Sequence, residues 1–534
     1  MTVGAFGFSM AFDAPGASNL TVGVYSNATR WPFNSSGPGL SISGNGRGCN
    51  TVCGDFRVYE ISTNSSGVLQ TFWATFTQRC ECGTPQMTGE VRVRSQLAPA
   101  APQSKTLRVP FEFATIQAAI DAASLLAVDT VLVAPGTYSE SLVFKGKRVR
   151  VLSENGPGVT LIRPLSGPGV TFNSGETAEA MLGGFTITNG AGGISLANSA
   201  SPTIVSNVII NCTGTAINCN FASPTVRSNH IAGSTGNAFY LGGAATPLIE
   251  GNIIENNGGG FDMFAAGDPT IRNNLIRDNR GNGMSMVNRS DANIVQNIII
   301  RNNGHGITWL VPSGNRGPYV FNNTIVANSG SAINADGYDA GSQIINNILV
   351  GSPALSVGGF NDNNPPIVRF NNVFSPNGNA YSGLITNLTG VSGNISTNPL
   401  FTCEPTGDFR LLAGSPCIDR GSNGVPHLLA TDFNGNSRIQ DADTNSSATI
   451  EFGALEFSPA TAPEPCLFIT CSSNLTVTAA LGENSAFVNY PVPNATPFAT
   501  VVSAPPSGSL FHSGTNLVTC TATYGTNSVS CTFF

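Results

Sequence analysis

Residues 270–302 read TIRNNLIRDNRGNGMSMVNRSDANIVQNIIIRN, and within them Asn274 and Asn297 each precede an apolar pair. The same asparagine recurs in SNVI, SNHI, GNII, NNLI, QNII, NNTI, NNIL and NNVF, as Asn207, Asn229, Asn252, Asn274, Asn297, Asn323, Asn347 and Asn372. Its spacings are 22, 23, 22, 23, 26, 24 and 25 residues. Further along most repeats a small residue precedes an apolar one, as in Ala216-Ile217, Ala238-Phe239, Gly283-Met284, Gly306-Ile307 and Ala332-Ile333. Self-similarity at this period marks a solenoid, whose repeats bury their apolar faces only against one another. The Leu framework of leucine-rich repeats is missing, and the repeats carry no helical period. Short apolar β-runs joined by Asn/Gly turns fit a parallel β-helix with two or three short strands per turn. One Asn at a fixed place in each turn predicts a ladder of side-chain amides at the ~4.8 Å strand spacing. Buried amides are tolerated only in such a satisfied stack.

The bulk composition agrees. Charged residues make up 10 % of the 534 residues, hydrophobic residues 41 %, and Gly accounts for 61 positions. That is a turn-rich, all-β composition with enough apolar residues for a core, unlike a disordered chain. The net charge is −7 and Lys and Arg form no cluster, which argues against a nucleic-acid partner. No apolar run approaches the ~20 residues of a membrane-spanning helix. At the N-terminus Phe6, Phe8, Met10 and Phe12 alternate with other residues, a strand pattern rather than a signal peptide. The chain therefore reads as a mature form or a fragment.

Two segments rich in Pro, Ala and Ser divide the chain, LAPAAPQS at Leu97–Ser104 and SPATAPEP at Ser458–Pro465. The expected organisation is an N-terminal module over 1–96, a linker over 97–105, the repeat region over 106–457, a linker over 458–465 and a C-terminal module over 466–534. The repeat region opens with FATIQAAIDAASLL, where Ile116, Ala119, Ile120 and Ala123 make one apolar helical face. This helix is expected to cover the open end of the solenoid, whose strand edges would otherwise invite aggregation.

The 12 cysteines fall in close pairs: Cys49/Cys53 with Cys80/Cys82, Cys212/Cys219, Cys403/Cys417, Cys466/Cys471 and Cys520/Cys531. Cys49, Cys53, Cys80 and Cys82 have zinc-like spacings, but they sit in strand-like sequence without tight knuckles. Disulfides, and hence an oxidising extracellular compartment, are the preferred reading.

The segment TIQAAIDAA, followed by DTVLVAPGTYSESLVFKGKRVRVLSENGP, resembles the N-terminal cap and first turns of right-handed parallel β-helix proteins of the pectin lyase-like fold. The Asn-anchored turns resemble the short repeats of that superfamily. FTCEPTGDFRLLAGSPCIDRGSN and DFNGNSRIQDADTNSSATIEFGALEF resemble the segment that closes the last turns in many bacterial secreted members. The stretch from GRGCNTVCGDF to GEVRVRS resembles a β-sandwich module of bacterial surface proteins, which implies a Cys49–Cys80 pair, with Cys53 and Cys82 as an additional one. FVNYPVPNAT through VSCTFF resembles a hyalin repeat, an immunoglobulin-like adhesion module, with Cys520 and Cys531 opposite each other across a hairpin that turns at Gly525. The fold class expected from all this is all-β. A right-handed parallel β-helix with a helical cap is flanked by an N-terminal β-sandwich and a C-terminal immunoglobulin-like β-sandwich.

Several side chains are candidates for chemistry. The Gly-His-Gly at His305 resembles the histidine motif of polygalacturonases, but the Asn-Thr-Asp, paired Asp-Asp and Arg-x-Lys of that family are missing, so a turn role is the preferred reading. Inverting hydrolysis needs two carboxylates flanking the scissile bond. If the chain is an enzyme, the catalytic candidates are Asp262, Asp278, Arg301 and His305, with Asn256, Asp278 and Arg301 forming one column of the repeat. For carbohydrate binding the candidates are Tyr240, Asp262, Trp309 and Tyr338, although Trp309 shares the parity of Ile307 and so has an inward alternative. DADTNSSATIE offers Asp441, Asp443 and Asn445 at alternating positions with Glu451 downstream, a candidate structural Ca²⁺ loop, though Ser446 stands where a glycine is expected.

The lead expectation is a secreted or cell-surface bacterial protein that binds polysaccharide or surface partners in an adhesion or scaffold role. A polysaccharide lyase or polygalacturonase-like hydrolase is the alternative, and a purely structural stalk is the third.

Overall fold

The computed structural model describes residues 2–534 except 6, 7, 17, 45, 84, 85, 96–102, 126, 311–315, 338–340, 360–364, 443–445, 464, 465, 497 and 498. Two compact units divide at residue 103, Met1–Gln103 and Ser104–Phe534. Most of the first expected linker, residues 97–102, lies outside the described residues, as do 464 and 465 of the second.

The first unit is all β. Its seven strands are Thr2–Ala5, Phe8–Asp13, Gly23–Arg30, Gly39–Gly44, Val52–Thr63, Leu69–Cys80 and Gln86–Val93. Gly23–Arg30 pairs in parallel with Gly39–Gly44 and antiparallel with Val52–Thr63, which joins all seven into one order. Alternating residues converge on Phe12, whose ring lies 5.3 Å from Phe56 and 5.4 Å from Phe72. Disulfides join Cys49 to Cys80 and Cys53 to Cys82, so these four residues hold no zinc.

The second unit is a parallel β-helix. Each turn contributes one short strand to each of three sheets, with 12 strands in the first and 11 in each of the other two. In the turn that carries Asn274 these are Thr270–Arg272, Leu275–Arg277 and Met284–Val287. Inward positions stack as apolar columns, such as Ile204, Val226, Ile249, Ile271 and Ile294 on the first sheet. Phe239 and Phe261 stack inside at 4.7 Å.

Two corners per turn require a left-handed backbone. Ser206, Ser228, Gly251, Asn273, Gln296, Asn322, Asn346 and Phe370 occupy the first, and Asn211, Gly233, Asn256, Asp278, Arg301 and Ala327 the second, all with φ of 51° to 69°. The residue after each first corner is the ladder asparagine. Asn297 is representative. Its Nδ2 donates to Ile271 O (2.8 Å), Val295 O (3.2 Å) and Asn323 Oδ1 (3.1 Å), and its own Oδ1 accepts from Asn274 N (3.0 Å) and Asn274 Nδ2 (3.0 Å). The ladder runs from Asn207 to Asn347 and then passes to Asn371 and Asn394. Asn372, expected on it, is instead the first residue of the next strand, and its Nδ2 reaches Thr397 O and Cys417 Sγ. Phe370 takes the left-handed corner there, so the anchor is the residue directly after it. A second ladder, unforeseen, follows the second corner through Asn257, Asn279, Asn302 and Asn328.

The expected cap helix is shorter than its apolar face suggests, Ile116–Ala122. Thr115 caps its start, and the Glu140 carboxylate accepts from Ile116 N and Gln117 N at 2.9 Å each. At its other end buried Lys147 donates to the carbonyls of Ile120, Asp121 and Ala123. Both helix ends are thus tied to residues of the first turns, which satisfies groups a helix leaves open.

The segment after the last turn lies along the outside of the second sheet. There the outward positions turn from His230, Glu255 and Arg277 to Ile298, Ile300, Val326, Ile348 and Val350. Phe409, Leu411, Phe452, Leu455 and Phe457 pack on those apolar residues. Beyond it, Val518–Tyr524 and Asn527–Phe533 form the C-terminal hairpin. Disulfides Cys403–Cys466 and Cys471–Cys531 tie the C-terminal strands to the closing segment and to themselves.

The close cysteine pairs expected elsewhere do not form. Cys212 sits after a corner and Cys219 points into the core from the third sheet, so the two lie on different walls. Cys417 is buried beside Asn372, and Cys403 and Cys466 bond each other rather than their sequence neighbours. Cys520 does face Cys531 across the hairpin, but Cys471 comes within 5.7 Å of Cys531 (Cα–Cα) and takes it, while Cys520 Sγ lies 3.1 Å from Ser503 Oγ.

Candidate functional site: the open face of the third sheet

The three sheet exteriors differ. The second is covered by the closing segment from Ile298 onward, and on the first Val295, Phe321 and Ile345 are buried with Val425. On the third, the outward side chains stay exposed or partly exposed from Asn218 to Ser382, and among the described residues only Gly242 is covered, by the Tyr240 ring. Strand alternation sets which residues these are. One column, in register turn by turn, is Asn218, Tyr240, Asp262, Ser285, Thr308, Asn334, Ser356 and Ser382. The neighbouring column runs Asn220, Gly242, Phe264, Val287, Leu310 and Asp336. Every turn therefore presents an amide, hydroxyl or carboxyl at the ~4.8 Å strand repeat.

Three aromatic rings gather on successive turns near the middle of this sheet. Tyr240 is half-buried, Phe264 is 49 % exposed and Phe221, on the turn after Ile217–Asn220, is 63 % exposed. Glycines make room for two of them. A Cβ at Gly242 would stand 2.8 Å from the Tyr240 hydroxyl, and one at Gly243 would stand 2.6 Å from the Phe221 ring. Asp262 lies beside Tyr240 in the register, is half-buried, and makes no ion pair or hydrogen bond among the described residues. Burial pushes its carboxyl above the usual carboxylate range.

Of the four expected carbohydrate-binding residues, Tyr240 and Asp262 are thus adjacent on this face. Trp309 is not on it. It is 1 % exposed and points into the core, where its register neighbour in the next turn is the small Ala335. Tyr338 lies outside the described residues. Phe221 was not foreseen; Phe264 has the same parity as Asp262 and is outward for that reason.

The four catalytic candidates do not assemble. Asp278 and Arg301 occupy successive left-handed corners and bind each other through two contacts, Nε–Oδ1 at 2.8 Å and a terminal nitrogen to Oδ2 at 3.0 Å. Arg277 pairs with Glu255, which also holds His230, so the alternating charges of the second sheet satisfy one another. Asn256 lies in the same column as Asp278. His305 stands three residues before the outward Thr308. Its backbone N–H donates to Asn282 Oδ1 (2.7 Å), and its Nδ1 accepts from Ser331 N (3.0 Å). An Nδ1 lone pair used in this way leaves the neutral ring with its proton on Nε2, a donor rather than a base. Burial lowers the affinity of the ring for a second proton. The surrounding glycines serve packing: a Cβ at Gly306 would stand 2.6 Å from Ala332 O, and one at Gly330 would stand 2.6 Å from His305 Nδ1.

In the candidate calcium loop, Asp443 and Asn445 lie outside the described residues. Asp441 Oδ2 accepts from Ser446 N (2.9 Å), and Glu451 is fully buried. Asp432 is engaged by the N–H groups of Asn434, Asn436 and Glu456. Among the described residues no group of three or more His, Cys, Asp or Glu side chains is placed to hold a metal ion.

The family model described as "Right handed beta helix region" matches residues 168–316. Among solved structures, the chain is similar to pectate lyase Pel9A (15 % identity, 67 % of this chain and 97 % of that one, TM-score 0.45). It is also similar to the A-module of a mannuronan C-5 epimerase from Azotobacter vinelandii (16 %, 53 % and 92 %, TM-score 0.36). A third is the catalytic unit of an α-1,3-glucanase from Streptomyces thermodiastaticus (14 %, 73 % and 86 %, TM-score 0.33). No curated protein matches the chain in sequence. None of these proteins' activities follows for this chain from likeness at this level.

Proposed function

We propose that this right-handed parallel β-helix binds a polysaccharide along the open face of its third sheet, as a secreted or cell-surface protein with an adhesion or scaffold role. One observation carries the reading: among the described residues the third is the sheet whose exterior stays uncovered, and it presents one polar side chain per turn beside Phe221, Tyr240 and Phe264. Hydroxyl and amide groups repeating at ~4.8 Å on a rigid sheet suit a chain of pyranose rings, and flat aromatics suit their apolar faces. Four disulfides support an oxidising, extracellular setting. Among the described residues no helix is long and apolar enough to cross a membrane.

An enzyme remains the second reading because of Asp262, a carboxyl that burial holds toward its protonated form on the same face. The other carboxyl there, Asp336, is three turns away in the adjacent column, ~14 Å at the strand repeat, where paired glycosidase carboxyls stand ~5–9.5 Å apart.

Co-sedimentation with insoluble glycans, with product release assayed on the same samples, tests the proposal. Retention without turnover supports binding. Turnover lost in Asp262→Asn makes the face an active site. Neither retention nor turnover leaves a stalk.

A further inference from the structure

The three exteriors also differ in charge, and that difference bears on which glycan the open face accepts. The first sheet carries Arg227, Glu250, Arg272 and Arg369 outward, and the second carries His230, Glu255 and Arg277. On the third sheet, none of the outward positions of the described strands from Thr171 to Ser382 is Lys or Arg, whereas Asp262 and Asp336 are both there. Among the described residues, two guanidiniums stand on its borders at Met284–Val287. Arg280, on the turn before Met284–Val287, donates to Ser234 O at 2.6 Å. Arg289, on the turn after that strand, is exposed.

We infer that the ligand of the third face is a neutral glycan and that carboxylated polysaccharides are rejected. The inference rests on the binding reading above and narrows it. A polyuronate laid along the column would bring about one carboxylate per sugar against a strip that has, among the described residues, two carboxyls of its own and one free guanidinium at its edge. Each such carboxylate loses water without gaining a countercharge, which is unfavourable. A neutral chain meets none of this. Its hydroxyls pair with Asn218, Tyr240, Ser285, Thr308 and Asn334, and Asp262 accepts or donates according to its proton.

The test uses glycan pairs that share a backbone and differ in charge: methyl-esterified against de-esterified homogalacturonan, a soluble β-glucan against its C6-oxidised form, and mannan against polymannuronate. The full chain is titrated with each by affinity electrophoresis, and the binding counted is the part that Tyr240→Ala/Phe264→Ala removes. In any pair that binds, the neutral member is expected to bind roughly tenfold more tightly at low salt, with the gap narrowing as salt rises. Asp262→Asn is expected to narrow it as well. Equal or tighter binding of the carboxylated member overturns the inference while leaving the binding face in place. No counted binding to any member overturns the binding reading, and the inference falls with it.

Discussion

His305 Nδ1 accepts a hydrogen bond from the backbone N–H of Ser331, one turn further along the solenoid, at 3.0 Å. The ring therefore does the work of a turn-to-turn link. His305→Ala is expected to leave glycan retention unchanged and to cost about 0.5–1.5 kcal/mol of stability, the worth of one partly buried hydrogen bond. The pH dependence has a definite sign. Burial places the folded-state pKa below the unfolded value of ~6.5, so above that pH both states are neutral and the group adds no slope. As pH falls below ~6.5 the unfolded chain takes the proton first, and stability declines until the folded ring titrates too. Thermal melts at pH 7.5 and pH 5 should show a smaller decline in the variant; identical declines would mean that the ring is not tied in this way.

Asp278 and Arg301 grip each other across adjacent corners, and this removes both from the list of free catalytic groups. Both are about one-third exposed, so the pair is expected to contribute only ~0.2–1 kcal/mol, and less at high salt. A double-mutant cycle with Asp278→Asn and Arg301→Gln reads the coupling. A coupling several times larger would show that the corner is not solvated in this way.

The amide ladder matters more. Asn297→Asp keeps the shape but loses the Nδ2 donor to Ile271 O, Val295 O and Asn323 Oδ1. Each buried acceptor left without its donor costs roughly 1–3 kcal/mol. The expected result is a sharp fall in denaturation midpoint, whereas Asn303→Asp, outside both ladders and exposed, leaves it unchanged.

How much of this could be read from the chain follows from what the repeat specifies. The ladder, the inward parity and the cap helix were legible because each is a local pattern repeated many times. Asn372 was misassigned because NNVF offers two asparagines, and only the backbone at Phe370 decides between them. The second ladder had a signal too, an Asn five residues past Asn252, Asn274, Asn297 and Asn323, but the first ladder masked it. The closing segment's seat on the second sheet was written in the change from LIR to III, TIV and ILV, strands apolar on both faces. The Cys49–Cys80 and Cys53–Cys82 pairs were implied by the resemblance of the N-terminal module, but the other partners were not legible, since those bonds span 63 and 60 residues and depend on which walls meet. At the candidate site, the position of Asp262 beside Tyr240 followed from the register. The inward position of Trp309 was open from its parity with Ile307, whereas the pairing of Asp278 with Arg301 did not follow, because corner pairing joins residues from different turns.

Peptide mapping of the unreduced protein checks the cysteines directly. The expected linked pairs are Cys49–Cys80, Cys53–Cys82, Cys403–Cys466 and Cys471–Cys531. Cys212, Cys219, Cys417 and Cys520 are buried and should resist alkylation until the chain unfolds. A Cys520–Cys531 peptide would contradict the C-terminal topology.

The most direct test of the central claim compares two faces of one solenoid. Depletion from solution by insoluble neutral glycans is measured for the full chain, for Tyr240→Ala/Phe264→Ala on the third sheet, and for Glu255→Gln on the second. With all three equally folded by circular dichroism, retention should drop at least about tenfold for the third-sheet variant alone, consistent with the ~1–3 kcal/mol expected from losing stacked rings. Retention that survives the loss of both rings, or that falls only with Glu255→Gln, would contradict the assignment of the third sheet as the binding face.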